Sequence, residues 1–146
     1  MVEKEITEFI TANQVATICC CSGDLPYCFN VLYTVFEKEG HIVFKSSANT
    51  RHGDLLMRNN RVAGTILPDN FNPEAIRGIQ FEGVAYEEDE DSLTPAASAY
   101  YSKNPIAMAM PGKIWIVEFQ YVKFTDNSKG FGYKRSWKKL AEELAL

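Results

Sequence analysis

Apolar and polar positions in this chain repeat mostly with the period of a β-strand, interrupted by short helical stretches. Val15-Ala16-Thr17-Ile18-Cys19-Cys20-Cys21 reads as a buried strand, and Tyr27 to Phe36, rich in aromatic and β-branched residues, as a second. Ser22-Gly23-Asp24 turns between them, so the two form a hairpin, and Pro26 is placed outside the second strand because proline cannot donate to a central ladder. Lys38-Glu39-Gly40 leads into a third strand at Ile42-Val43-Phe44. Arg61 to Leu67 is a fourth strand, and Ile76 to Glu87 a fifth, whose Gly78 and Gly83 suggest bulges or a close approach. Lys113 to Phe124 alternates almost strictly beyond Ile114, the mark of a half-buried sixth strand.

Helical spacing appears in four places. Glu3 to Asn13 sets Ile6, Phe9 and Ile10 at i, i+3 and i+4. Thr50 to Asn59 carries Leu55 and Leu56 among charges, with Asn49 or Thr50 as N-cap and Asp54 favourable near the helix start. Ser92 to Ser102 holds Pro95 in its first turn, and Trp137 to Leu146 is expected to close the chain as a helix. Pro68 to Ala75 is a polar loop, the acidic run from Glu87 to Asp91 is solvated, Ile106 to Pro111 is irregular, and Gly130-Phe131-Gly132-Tyr133 is a short strand or loop. About six strands joined mainly by hairpins, with helices outside, predict one domain built as a closed antiparallel barrel.

The stretch from His41 to Arg61 concentrates the candidate chemistry. A strand there delivers Lys45, Ser46 and Ser47 to a helix that opens at Thr50-Arg51-His52. Free N–H groups at a helix start, with cationic side chains beside them, suit a phosphate, and an ordinary capped helix has the same pattern. Both readings stay open on these residues alone.

Composition narrows the function classes. The chain has 146 residues, 46% apolar and 23% charged, enough for a core without disulfides or metal. A net charge of −4 argues against a nucleic-acid partner. No apolar run approaches the ~20 residues of a membrane helix, and the acidic, amphipathic start is unlike a signal peptide, so a cytoplasmic location is expected. Cys19, Cys20 and Cys21 are consecutive and Cys28 lies across a turn, poor geometry for a disulfide framework or a tetrahedral metal site. Cys19 and Cys21, or Cys20, are read as small core residues. With two histidines well apart, a histidine-rich metal site is not available, and no nucleophile or zinc-protease motif is present.

The order and spacing of these segments resemble the flavin-binding split barrel of pyridoxine and pyridoxamine 5'-phosphate oxidases, and within it the small bacterial branch related to the YhbP protein. The resemblance rests on Asn30-Val31-Leu32-Tyr33, Phe44-Lys45-Ser46-Ser47, Thr50-Arg51-His52-Gly53, Asn60-Arg61-Val62-Ala63, Gly78-Ile79-Gln80-Phe81-Glu82-Gly83, Lys123-Phe124-Thr125-Asp126-Asn127 and Gly130-Phe131-Gly132-Tyr133-Lys134. It implies a six-stranded antiparallel split β-barrel with peripheral helices, and FMN in a groove between two identical subunits. Lys45, Ser46, Ser47, Thr50, Arg51 and His52 are then expected at the FMN phosphate, with His52 where the family has lysine. Asn30, Val31, Leu32 and Tyr33 would run their backbone past the isoalloxazine ring. Gln80 stands two residues beyond the family's glutamine position, on the same strand face, and Lys134 and Trp137 fall where the oxidases place ring contacts from the partner. The resemblance favours a flavin-dependent oxidoreductase on a small substrate. A non-catalytic flavin binder, and a barrel with haem, a deazaflavin or no ligand, remain alternatives.

Overall fold

The computed structural model describes residues 2–36, 40–47, 49–88 and 94–139. The first helix, α1 (Lys4–Ala12), buries Ile6, Phe9 and Ile10 as their spacing requires. A hairpin of β1 (Val15–Ser22) and β2 (Leu25–Phe36) follows, then β3 (His41–Ser46) and the short helix α2 (Arg51–Arg58). Next come β4 (Arg61–Ile66), β5 (Arg77–Glu87) and α3 (Pro95–Lys103). A 3-10 turn at Pro105–Ala109 leads to the long β6 (Lys113–Asp126), and β7 (Lys134–Lys138) is the last element described. No helix among the described residues is long and apolar enough to cross a membrane.

The strand pairings are all antiparallel and close on themselves. β1 pairs with β2 and β4, β4 with β5, β5 with β6, β6 with β3, and β3 with β2. β7 is a seventh strand added to β6; the sequence predicts no element at Lys134 to Ser136 and a closing helix from Trp137, which is strand instead. The reason lies in β6: its pairing with β3 stops at Glu118, and the strand runs on to Asp126. That leaves an unpaired edge at Tyr121 to Thr125, which β7 covers. The predicted helix beyond residue 139, the turn at 37–39, Ala48, and most of the acidic run lie outside the described residues.

β2 also starts earlier than expected and includes Pro26. β3 pairs with β2 only from Tyr33 to Phe36, so no described strand flanks β2 beside Pro26 on that side. At an edge position proline costs the ladder nothing. The glycine expectation holds at Gly83, where the β5–β6 register shifts between Glu82 and Gly83 and a side-chain carbon would lie 2.5 Å from the Glu118 carbonyl oxygen.

The ring encloses one core in which Tyr33, Phe44, Phe81, Phe124 and Trp115 are almost wholly buried. Each such side chain contributes about 1.5–3 kcal/mol by leaving water. A second cluster lies outside the ring, where Ala96, Ala97 and Tyr100 of α3 pack on Val43, Ile114 and Ile116. β3 is therefore buried on both faces, which explains the unbroken Ile42-Val43-Phe44 run.

At the end of the ring covered by α1, Arg77 and Asp126 are paired across β5 and β6. The Arg77 guanidinium lies 5.0 Å from the Phe9 ring and 5.9 Å from the Phe124 ring, and its Nε is 3.3 Å from Asp126 Oδ2. Burial pushes the Asp126 carboxyl up, but hydrogen bonds from the Ser128 hydroxyl and N–H and the charge of Arg77 outweigh it. The folded value therefore lies below the ordinary one. A carboxylate depressed in this way stabilises the fold above its unfolded pKa of about 3.9, and that contribution is lost as pH falls through the folded value. Asp126→Asn is expected to cost about 1–3 kcal/mol at pH 7 and to flatten the loss of stability below pH 4, measured by urea unfolding across that range.

Candidate functional site

The site begins with the alternation of β3. Phe44 points into the core, so Lys45 points out and Ser46 turns back toward α2. Lys45 Nζ donates to the carbonyls of Ala107 and Met110, each at 2.7 Å, and lies 4.9 Å from the centre of the Tyr101 ring. Its charge holds the 3-10 segment to the sheet.

Ser46 and the start of α2 form a compact polar cluster. Thr50 is the N-cap: its hydroxyl accepts from the Gly53 N–H at 3.1 Å and donates to the Ser47 carbonyl at 2.8 Å. Ser47 Oγ accepts from the Asn49 N–H at 3.2 Å. Ser46 Oγ and His52 Nε2 are 2.5 Å apart, and the His52 ring stacks on Phe29 at 4.0 Å with the planes 8° apart. Burial holds the His52 pKa below the usual histidine range. The imidazole is neutral at pH 7, so it acts as a hydrogen-bonding group and not as a cation. The exposed cation of the cluster is Arg51, whose guanidinium lies 4.9 Å from the centre of the Tyr27 ring. Tyr27 and Phe29, which seat Arg51 and His52, were not singled out from sequence. Their alternation on the aromatic second strand was the available signal.

The remaining residues lie elsewhere. Val31 and Tyr33 face the core, and Tyr33 Oη donates to the Ile10 carbonyl at 2.7 Å. Asn30 and Leu32 face outward, and Asn30 Oδ1 accepts from Thr17 Oγ1 at 2.7 Å. Gln80 is on the same outward side of the sheet, in a cavity of about 340 Å³ lined also by Thr17, Cys19, Cys28, Thr65 and Tyr121. A second hollow of about 530 Å³ shares Thr17 and Thr65 and extends to Val15, Leu32 and Leu67. Lys134 is exposed on β7 opposite Thr125, whereas Trp137, opposite Val122, packs against the core of its own chain. The structure thus gathers Ser46, Ser47, Thr50, Arg51 and His52, and it separates them from Lys45. Among the described residues no group of three or more potential ligands is placed to hold a metal.

Solved structures sharing this architecture define its class. A heme-binding protein from Mycobacterium smegmatis superposes with a TM-score of 0.77 at 21% identity, covering 94% of this chain and 60% of that protein. A FAD-binding protein from Mesorhizobium loti gives 0.71 at 17% identity, with 86% of this chain and 93% of that one covered. A Listeria innocua protein described as a candidate pyridoxamine 5'-phosphate oxidase gives 0.64 at 15% identity, covering 82% and 94%. The fold is therefore mainly antiparallel β and of the split-barrel kind these proteins share.

Sequence relatives give the family. A UPF0306 protein of Serratia proteamaculans is 35% identical over 137 residues, 92% of this chain and 94% of that protein. A UPF0306 protein of Pasteurella multocida is 32% identical over 138 residues, 93% of this chain and 91% of the other. The chain belongs to the UPF0306 family. No protein-family model matches it.

Because burial depresses His52, its ring is expected to keep the neutral signature at pH 7 and to titrate below the usual value of about 6.5. Nuclear magnetic resonance of the imidazole across pH 4–8 measures this. Titration at or above the usual value would contradict the burial of this ring.

Proposed function

We propose that this chain is an FMN-binding protein of the pyridoxamine-phosphate-oxidase-like superfamily, within its YhbP-like branch. In this reading residues 1–146 form one flavin-binding domain, which acts as a cytoplasmic homodimer with the cofactor at the subunit interface. It works as a flavin-dependent oxidoreductase on a small substrate. The observation that carries the reading is the start of α2: an exposed Arg51 in the first turn of a helix capped by Thr50, with the neighbouring His52 held to the Ser46 hydroxyl. A fold shared with a FAD-binding protein supports a flavin.

The residues fit a phosphate at this point in kind and charge. Arg51 offers charge-assisted hydrogen bonds, and the first-turn N–H groups of α2 complement an anion. The neutral His52 contributes by position, since its contact with Ser46 Oγ fixes that hydroxyl. Lys45 takes no part while it holds Ala107 and Met110. A heme reading is less well supported, because His52 is committed to Ser46 and Phe29.

A bound flavin supplies hydride and electron transfer. The chain's own work is to bind and orient it. Arg51 would hold the phosphate, the outward backbone edge of Asn30 to Tyr33 and the Gln80 amide would meet the ring, and Lys134 of a second subunit would complete the contact, while Trp137 packs in its own chain. An acid–base pair is not required for that task.

The test is titration of the purified protein with FMN, followed by flavin absorbance and fluorescence. One FMN per subunit is expected, and Arg51→Ala should weaken binding by about 1.5–3 kcal/mol, the range for a hydrogen bond to a charged group. Unchanged affinity in a folded Arg51→Ala protein would overturn the phosphate assignment. Turnover of a reduced nicotinamide with an electron acceptor would distinguish an oxidoreductase from a flavin carrier.

A further inference from the structure

Cys19, Cys21 and Cys28 lie on the outward face of the β1–β2 hairpin, half-buried or exposed, while Cys20 is buried in the core. β1 and β2 pair without a break in register from Val15↔Leu32 to Ser22↔Leu25, which sets Cys19 directly opposite Cys28. The type of pair follows from Pro26. It stands opposite Cys21 and has no N–H, so those two residues cannot exchange the two ladder bonds of a hydrogen-bonded pair. Antiparallel pairs alternate. Cys20–Tyr27 is therefore the bonded pair, and Cys19–Cys28 is again a non-bonded one.

Non-bonded pairs bring the α-carbons to about 4.5 Å, with the side chains at their closest. That lies within the span a disulfide bridges, about 4.4–6.8 Å. The next non-bonded pair along the hairpin shows the approach directly: Thr17 Oγ1 donates to Asn30 Oδ1 at 2.7 Å. Both thiols line the 340 Å³ cavity, and Cys19 Sγ donates to the Cys20 carbonyl at 3.8 Å. Two accessible thiols, opposed across a hairpin in an open cavity, constitute a site for thiol–disulfide exchange. The geometry is read from the strand register alone, and because Gln80 lines the same cavity the exchange belongs to the flavin-free protein.

We propose that Cys19 and Cys28 form a reversible dithiol–disulfide couple that exchanges with small disulfides of the glutathione class. Cys28, the exposed member, attacks as thiolate one sulfur of the small disulfide, breaking its S–S bond and releasing one small thiol. Cys19 then loses its proton and attacks the Cys28 sulfur, forming the cross-strand bond and releasing the second small thiol. The two cysteines lose two electrons and two protons, and the small disulfide gains both. The order follows from the surroundings of Cys19. Burial and the neighbouring Cys28 push its thiol pKa up, and capping Cys28 removes the second of these. Oxidation of Cys28 thus prepares Cys19 to complete the bond.

The experiment uses the whole chain, first reduced and then incubated with glutathione disulfide, acid-quenched, alkylated and weighed. Two of the four cysteines should escape alkylation, the mass before alkylation should fall by two hydrogens, and dithiothreitol should reverse both changes. Cleavage before Asp24 should leave the two halves of the hairpin joined. Cys19→Ser should stop at a mixed disulfide on Cys28, Cys28→Ser should form no cross-strand bond, and Cys20→Ala and Cys21→Ser should still form it, each variant checked for native circular dichroism. The proposal is overturned if all four thiols stay reactive, if wild type stops at the mixed disulfide, or if the bond persists in Cys19→Ser.

Discussion

The pairing of β3 with β6 is the constraint on which the rest depends. Six residues of β3, His41 to Ser46, lie opposite Glu118 to Lys113, and this ladder closes the ring of strands. Phe44 and Trp115 face each other across it, with ring centroids 6.3 Å apart and planes nearly parallel. Once Phe44 is fixed inward, the period of two places Lys45 against the 3-10 segment and Ser46 beside His52. The position of the α2 N-terminus, and so of Arg51, is a consequence of closure.

Much of this was legible in the chain. The period-two segments became strands within a few residues of their expected bounds, and Ile6, Phe9 and Ile10 became the buried face of α1. Thr50 proved to be the cap of α2. The misreadings share a cause, which is that edge strands take their identity from a partner. Lys134-Arg135-Ser136-Trp137-Lys138 has one half-buried apolar side chain and no strand signal of its own; it is a strand because β6 extends past β3. Pro26 was placed outside β2 because the rule against proline applies to central strands, and the sequence does not show that β2 is open there.

The candidate site was legible in kind and less so in detail. The hydroxyls and the cap at Ser46 to Thr50 are where local spacing puts them, since a cap is a local event. Lys45 was read as a phosphate cation because nothing local reveals that two carbonyls more than sixty residues along the chain will take its ammonium group. His52 was expected as a weaker partner in the place of a lysine, and burial beside Phe29 holds its pKa below the usual histidine range. Alternation along β1 left either Cys19 and Cys21 or Cys20 for the core, and the structure takes Cys20, with Cys19 and Cys21 half-buried on the other face.

The central claim is that this fold holds a flavin by its phosphate at the start of α2. The most direct measurement compares the affinities of FMN and riboflavin for the unmodified protein, since the two ligands share the ring and differ in the phosphate. Binding of FMN at least about tenfold tighter, the equivalent of 1.4 kcal/mol, is the result this account predicts. Equal affinities would contradict it, and so would binding of neither ligand.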